Sequence, residues 1–248
     1  MITRAYIDET LLLEYTKQFY GYGTYAASLW FVGMEEGGGK SIDENIRRIV
    51  GWANRGKHEL EDPATSPRGI GPDRWFGERP RIQTTWGKLI RILFAAEGKK
   101  PITPDAVKAY QRDILGRSDS DSCLLELLPL PSPSTAHWTY EGLTTLPHLV
   151  TRDKYREYLA PMRAQHIAAK VAQYQPKAVV FYSFDRWYRQ WWQLIAGVPF
   201  AEIETEEGSM YLAGNSRTRF AIIKHPASMG LTNNYFHLVG GMLHEHTR

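Results

Sequence analysis

Apolar positions along the chain switch between helical and strand-like spacing, and the switches mark out the elements. Glu9–Phe19 reads as a helix ended by the Tyr20-Gly21-Tyr22-Gly23 turn. Ser28–Val32 is a short apolar strand that runs into the Gly-rich segment Gly33–Gly39. Ser41-Ile42-Asp43-Glu44 has the form of a capping box, and Ile42, Ile46, Ile49 and Val50 then share one helical face. Glu59–Arg81 is rich in Pro, Gly and Arg and reads as a long loop, a kind that is usually functional or mobile. Thr85–Phe94 is helical through Trp86, Leu89, Ile90 and Leu93, and Thr103-Pro104 opens another helix. Cys123–Leu128 is a second strand, expected to stop at Pro129, Pro131 and Pro133. Met162–Tyr174 is helical, Ala178–Tyr182 is a third strand, and Asp185 caps a helix to Ala196. Strand-like pieces at Ala201–Glu204 and Met210–Ala213 precede the strand Arg219–Lys224, and a last helix carries Tyr235, Leu238, Val239 and Met242.

Strands that are apolar throughout and alternate with helices predict an α/β fold with a parallel sheet covered on both faces. Ligands in such folds bind beyond the carboxyl ends of the strands. Gly33–Gly39, the Pro129–Thr135 region and His225–Thr232 lie at those ends, far apart in sequence.

The 248 residues suit one large domain, taken as 1–248. Hydrophobic residues at 43% and charged residues at 23% argue against a disordered chain, a fibre or a coiled coil. The single cysteine, Cys123, rules out an intrachain disulfide, a multi-cysteine zinc site and a cysteine-ligated iron–sulfur cluster within one chain. No cofactor and no metal site are expected, and His244-Glu245-His246 reads as a frayed tail. No apolar run approaches the roughly 20 residues that span a bilayer, and Met1–Leu12 lacks the apolar core of a signal peptide, so the expected location is cytoplasmic, without membrane contact. The net charge is only +3, yet residues 40–117 carry 16 Lys and Arg against 10 Asp and Glu. Arg68, Arg74, Arg79, Arg81, Lys88 and Arg91 crowd this segment, as either a solvated face or a phosphate-facing surface.

Gly33–Ser41 admits two readings. As a phosphate-binding loop it has five residues, Met34–Gly38, where that pattern has four before Gly39-Lys40-Ser41, and Glu35 and Glu36 repel anionic oxygens. That leaves a nucleoside-triphosphatase as the weaker reading. Alternatively, two carboxylates stand at a strand end where glycines admit a substrate, placed to orient a water or balance a developing cation. Against this stands the structural option that either Glu caps the next helix or pairs with an Arg.

Gly33-Met34-Glu35-Glu36-Gly37 resembles the first motif of the uracil-DNA glycosylase superfamily, Gly-x-Asp/Asn/Glu/Ala-Pro-Gly/Tyr, and His225-Pro226-Ala227-Ser228 resembles its second, His-Pro-Ser-Pro. The likeness spans about residues 25–245. It implies a three-layer αβα sandwich with a central, mainly four-stranded parallel sheet, and a DNA partner. It further implies hydrolysis of the N-glycosidic bond of a flipped, damaged or deaminated base in DNA repair. Flipping needs phosphate contacts, a wedge and a pocket. By this resemblance Glu35 positions the water and His225 stabilises the leaving base. Gly33, Met34, Glu36, Gly37, Glu126 and Ser228 fall in the base pocket, with Trp75, Phe76 or Trp86 stacking on the base. Lys40, Arg74, Arg79, Arg81 and Lys88 face phosphate, and Met229 or Leu231 is the wedge. Glu36 stands for the usual Pro and Ala227 for the usual Ser. Glu126 stands where the family reads the base with Asn, and an ionised carboxylate only accepts hydrogen bonds. That implies a base with more donors, guanine being one, or a protonated Glu, or no base at all. A non-catalytic member that binds nucleic acid or a nucleotide is therefore the alternative. Trp187, Trp191 and Trp192 sit at helical spacing and read as core and its rim, and His137-Trp138 as a loop contact near the site.

Overall fold

Trp30, Phe31, Val32, Val179, Val180, Phe181, Phe220 and Ala221 are completely buried. Strands this apolar must be covered on both faces, and each such side chain larger than Ala contributes roughly 1.5–3 kcal/mol on burial. The computed structural model describes residues 7–38, 41–65, 73–134 and 137–244. Its strands are β1 (Gly21–Tyr22), β2 (Leu29–Gly37), β3 (Leu60–Glu61), β4 (Ser122–Ser132), β5 (Ala178–Tyr182), β6 (Ala201–Ile203), β7 (Met210–Gly214) and β8 (Arg219–Ile223). Its helices are α1 (Glu9–Gln18), α2 (Ile42–Asn54), α3 (Asp73–Phe76), α4 (Thr84–Ala96), α5 (Pro104–Asp113), α6 (Arg152–Tyr174), α7 (Arg186–Ala196) and α8 (Asn233–His244).

All eight strands form one sheet in the order β3-β1-β4-β2-β5-β8-β7-β6. The central four, β4-β2-β5-β8, are parallel, as expected. The sheet is wider than expected because β7 and β6 add antiparallel at one side, while β1 pairs antiparallel with β4 and carries β3 at the other. Helices α1, α2, α6 and α7 touch one another, as do α3, α4, α5 and α8, so the sheet lies between two helical layers. Along the chain the parallel strands fall second, first, third, fourth across the sheet. The order therefore switches between β2 and β5, and the crevice beyond their carboxyl ends is the favoured ligand position.

Local chemistry explains most helix starts. Asp8, Ser41, Thr103, Thr151 and Asp185 each accept amide hydrogen bonds as N-caps. At α2 the Ser41 hydroxyl accepts from the Glu44 amide at 3.2 Å, while the Glu44 carboxylate engages Arg48 at 2.6 Å.

Three sequence expectations are corrected. Gly33–Gly37 is strand, since β2 continues beside β4 as far as Gly37 opposite Ser132. Strand β4 runs through Pro129 and Pro131. Between the pairs Glu35–Leu128 and Gly37–Ser132 the register shifts, and the two prolines fall in that irregular stretch, where a missing N–H is tolerated. Helix α6 begins at Arg152, ten residues before the expected Met162, and passes through Pro161. An interior Pro costs about 3 kcal/mol. The buried stripe Tyr155, Leu159, Arg163, Ile167 and Val171 runs past it and holds both halves on the sheet.

Gly21 shows why the Tyr20–Gly23 segment carries β1 as well as a turn. Its φ is +148°, and a Cβ there would lie 1.9 Å from the Leu124 carbonyl oxygen, so only glycine lets β1 close on β4.

Candidate functional site

A cavity of about 280 Å³ opens at the carboxyl ends of β2, β4 and β5, beside the turn after β8. Glu35, Glu36, Glu126, Trp75, Trp86 and His225 are among the side chains that line it. Residues as far apart in sequence as Tyr22 and His225 meet here because the parallel strands all end on this side.

Glu35 is held on both oxygens. Arg152, the first residue of α6, donates to Oε2, and the Tyr188 hydroxyl of α7 donates to Oε1 at 3.1 Å. Its side chain is 8% exposed. Burial pushes its carboxyl above the ordinary value of 4.5, with Arg152, Tyr188 and Arg156 opposing the rise. Arg152 also donates to the Ser134 and His137 carbonyls at 3.3 and 2.8 Å, so one guanidinium ties Glu35 to the loop after β4. The ion pair considered for these carboxylates is thus present. It leaves further carboxylate lone pairs, since two oxygens accept about four hydrogen bonds.

Glu36 is 3% exposed and accepts from the Tyr22 hydroxyl at 3.3 Å and from Arg48 at 3.4 Å. Arg48 further donates to the Gly37 carbonyl at 3.3 Å, binding α2 to the end of β2. Desolvated charges persist only when matched in this way.

Glu126 stands beside Gly33 in the ladder. A Cβ on Gly33 would lie 2.1 Å from Glu126 Oε2 and 2.2 Å from the Tyr182 hydroxyl oxygen. Glycine is required here by that close approach. The Tyr182 hydroxyl, at the end of β5, donates to Glu126 Oε1 at 3.0 Å. From below, the fully buried Arg163 donates to the carbonyls of Glu126 and Leu127 at 3.0 and 2.6 Å and to that of Thr16 at 2.9 Å. These bonds fix the backbone from which Glu126 projects.

His225 follows β8 in a tight turn closed by the Ser228 amide on its carbonyl at 2.8 Å. Its Nδ1 accepts from the Ala227 amide at 3.1 Å, so a neutral ring carries its proton on Nε2. Burial lowers its pKa below 6.5, keeping the imidazole neutral at pH 7. The Tyr182 ring meets it edge-on, with centroids 5.6 Å apart.

Trp75 is half-buried at the cavity, positioned by Gln111. The Gln111 amide donates to the Trp75 and Arg81 carbonyls at 3.0 and 2.9 Å and accepts from the Gln83 amide at 2.9 Å. Phe76 instead packs against the Trp86 ring and under Arg117.

Gly37 also lines the cavity, whereas Met34 packs on the core. Ser228 is exposed. Arg74, Arg79 and Arg81 are exposed in the segment that bears Trp75. Lys88 bonds the Asn233 side chain at 2.7 Å and lies over Phe236, tying α4 to α8. Met229 is 98% exposed, whereas Leu231 packs against the core. Lys40, Arg68, Glu245 and His246 lie outside the described residues. His137 enters the Arg152 network, Trp192 is fully buried, and Trp187 and Trp191 sit at its margin.

Tyr182, Arg152, Tyr188, Arg48 and Gln111 escaped the sequence reading. Tyr182 was findable as the last residue of a strand beside the switch point. Arg152 and Tyr188 carry no local signal, because their roles depend on where α6 and α7 meet β2.

Among the described residues, no group of three or more His, Cys, Asp or Glu side chains is placed to hold a metal ion, and no helix is long and apolar enough to cross a membrane. No protein-family model matches the chain, and no curated protein matches its sequence.

Proposed function

We propose that the chain is a divergent member of the uracil-DNA glycosylase superfamily and hydrolyses the bond between a flipped base and its deoxyribose. The observation that carries this reading is the neutral His225 sharing one small cavity with Glu35 and Glu126 at the switch point of the sheet. Water attacks C1′, the C1′–N bond breaks, and its electron pair leaves with the base. His225 Nε2–H hydrogen-bonds the base as negative charge grows on it, an interaction that strengthens toward the transition state. Glu35, held by Arg152 and Tyr188, orients the water and takes its proton, and its raised pKa makes it a better acceptor. Solvent then protonates the released base. Arg74, Arg79 and Arg81 contact phosphate, and the exposed Met229 takes the place of the base in the stack.

The test is a base-excision assay on single- and double-stranded oligonucleotides carrying uracil, hypoxanthine, xanthine or a G·T mismatch. Abasic sites are read by heat and alkali. Release abolished in both Glu35→Gln and His225→Ala supports the reading. Tight, salt-sensitive binding without release favours a non-catalytic nucleic-acid-binding member, a reading favoured by the engagement of both Glu35 oxygens.

A further inference from the structure

We infer that the cavity takes a base of the guanine type, whose adjacent ring N–H and exocyclic amine meet Glu126 while a ring acceptor meets His225. The inference rests on the reading of this cavity as a base pocket and deepens it.

Tyr182 donates its only hydroxyl proton to Glu126 at 3.0 Å, so towards a ligand that hydroxyl presents lone pairs. The Glu126 carboxylate accepts as well. These two groups on β4 and β5 meet a ligand as acceptors. Beside Tyr182, His225 supplies one donor, because the Ala227 amide occupies its Nδ1. A ligand that fits needs donors on one edge and an acceptor on another.

Size and charge narrow the class. At about 280 Å³ the space lies at the small end of ligand pockets, about 300–1,000 Å³, and suits one ring system. Trp75 and Trp86 are among its lining residues. Glu35 and Glu36 are matched by Arg152 and Arg48, so the choice of ligand edge falls to Glu126 and His225. Among the nucleobases only guanine presents two neighbouring donors, N1–H and the 2-amino group. Adenine and cytosine set a ring acceptor beside their amine, and uracil sets carbonyl oxygens on both sides of N3–H. A carboxylate facing a carbonyl oxygen leaves both without a partner, a mismatch that costs about 1–3 kcal/mol. Modified guanines that keep N1–H and the 2-amino group satisfy the same edge.

The experiment measures binding of deoxyguanosine, deoxyinosine (which lacks the 2-amino group) and deoxyuridine by quenching of tryptophan fluorescence. Wild type, Glu126→Gln and Tyr182→Phe are compared, with circular dichroism melts to establish that each variant is folded. Deoxyguanosine is expected to bind at least about tenfold more tightly than the other two in wild type. Glu126→Gln should cut that preference by about tenfold or more, and Tyr182→Phe by less. Deoxyuridine binding as tightly as deoxyguanosine, a preference unmoved by Glu126→Gln, or no binding of any nucleoside overturns the inference. Guanine-selective binding with no base release from oligonucleotides upholds it and overturns the hydrolytic reading alone. Release of uracil without guanine preference does the reverse.

Discussion

The sheet carries a cavity at each end, and the larger is not the one that gathers the buried carboxylates. At the amino ends of β2, β4, β5 and β8 lies a space of about 820 Å³, lined by Lys177, Arg217, Glu97 and Asp121, all exposed to solvent. At the carboxyl ends the space is about 280 Å³, yet the Glu35 and Glu36 side chains are only 8% and 3% exposed, and His225 is held neutral. A charge in water interacts weakly with its surroundings, whereas a desolvated charge in a fixed hydrogen-bond frame is a strong and oriented one. Buried, matched carboxylates require Arg152, Tyr188, Arg48 and Tyr22 to be placed at the same time.

The sharpest way to break this contrast is to neutralise each end in turn. If the protein acts as the proposed glycosylase, Glu35→Gln or His225→Ala should lower base release by about 10²–10³-fold, the usual loss for one preorganised transition-state contact. Lys177→Ala and Arg217→Ala at the other end should change it less than about twofold, and comparable losses at both ends would erase the distinction. Next in size is the buried support of β4. Arg163→Leu strands three buried carbonyls and should cost about 3 kcal/mol in urea unfolding, with no counterpart at the exposed amino-end charges.

Gly33→Ala should follow, at about 1–3 kcal/mol, because the added methyl must displace Glu126 and Tyr182. A variant as stable as wild type would mean that Glu126 is free to move aside. The pH dependence is smaller. Burial lowers the pKa values of His148, His225 and His237, so the unfolded chain protonates these rings first as pH falls through about 6.5. In that window the unfolded state binds more protons and stability declines. His225→Gln should flatten the decline in melts between pH 7 and 5. Glu35 works in the opposite direction at more acid pH, since its folded carboxyl keeps its proton above the unfolded value; its share of stability is lost as pH rises through the folded pKa. Smallest of all, Met229→Ser should leave stability within about 0.5 kcal/mol, the side chain being 98% exposed. On the proposed glycosylase reading it should still weaken release from duplex DNA more than from single strands, and equal effects on both would overturn the proposal of Met229 as the wedge.

The sequence by itself determined the parallel core and the helix starts. Unbroken apolar runs such as Val179–Phe181 have to be covered on both faces, and caps such as Asp185 act within one turn. It also placed Glu35 and His225 at strand ends, which in a parallel sheet means one side of the molecule, while Glu126 entered only through the resemblance. Tertiary structure alone decided the rest. Whether Pro129 and Pro131 stop a strand depends on what β2 asks of them, and a register shift in the ladder asks nothing. Whether Pro161 ends a helix depends on the apolar stripe packed across it. Which of Met229 and Leu231 reaches solvent depends on packing against the core, and which groups hold Glu35 depends on contacts between residues more than a hundred positions apart. Local propensity and spacing act over a few residues, while desolvation, ion pairing and close approach exist only once distant strands and helices share the same space.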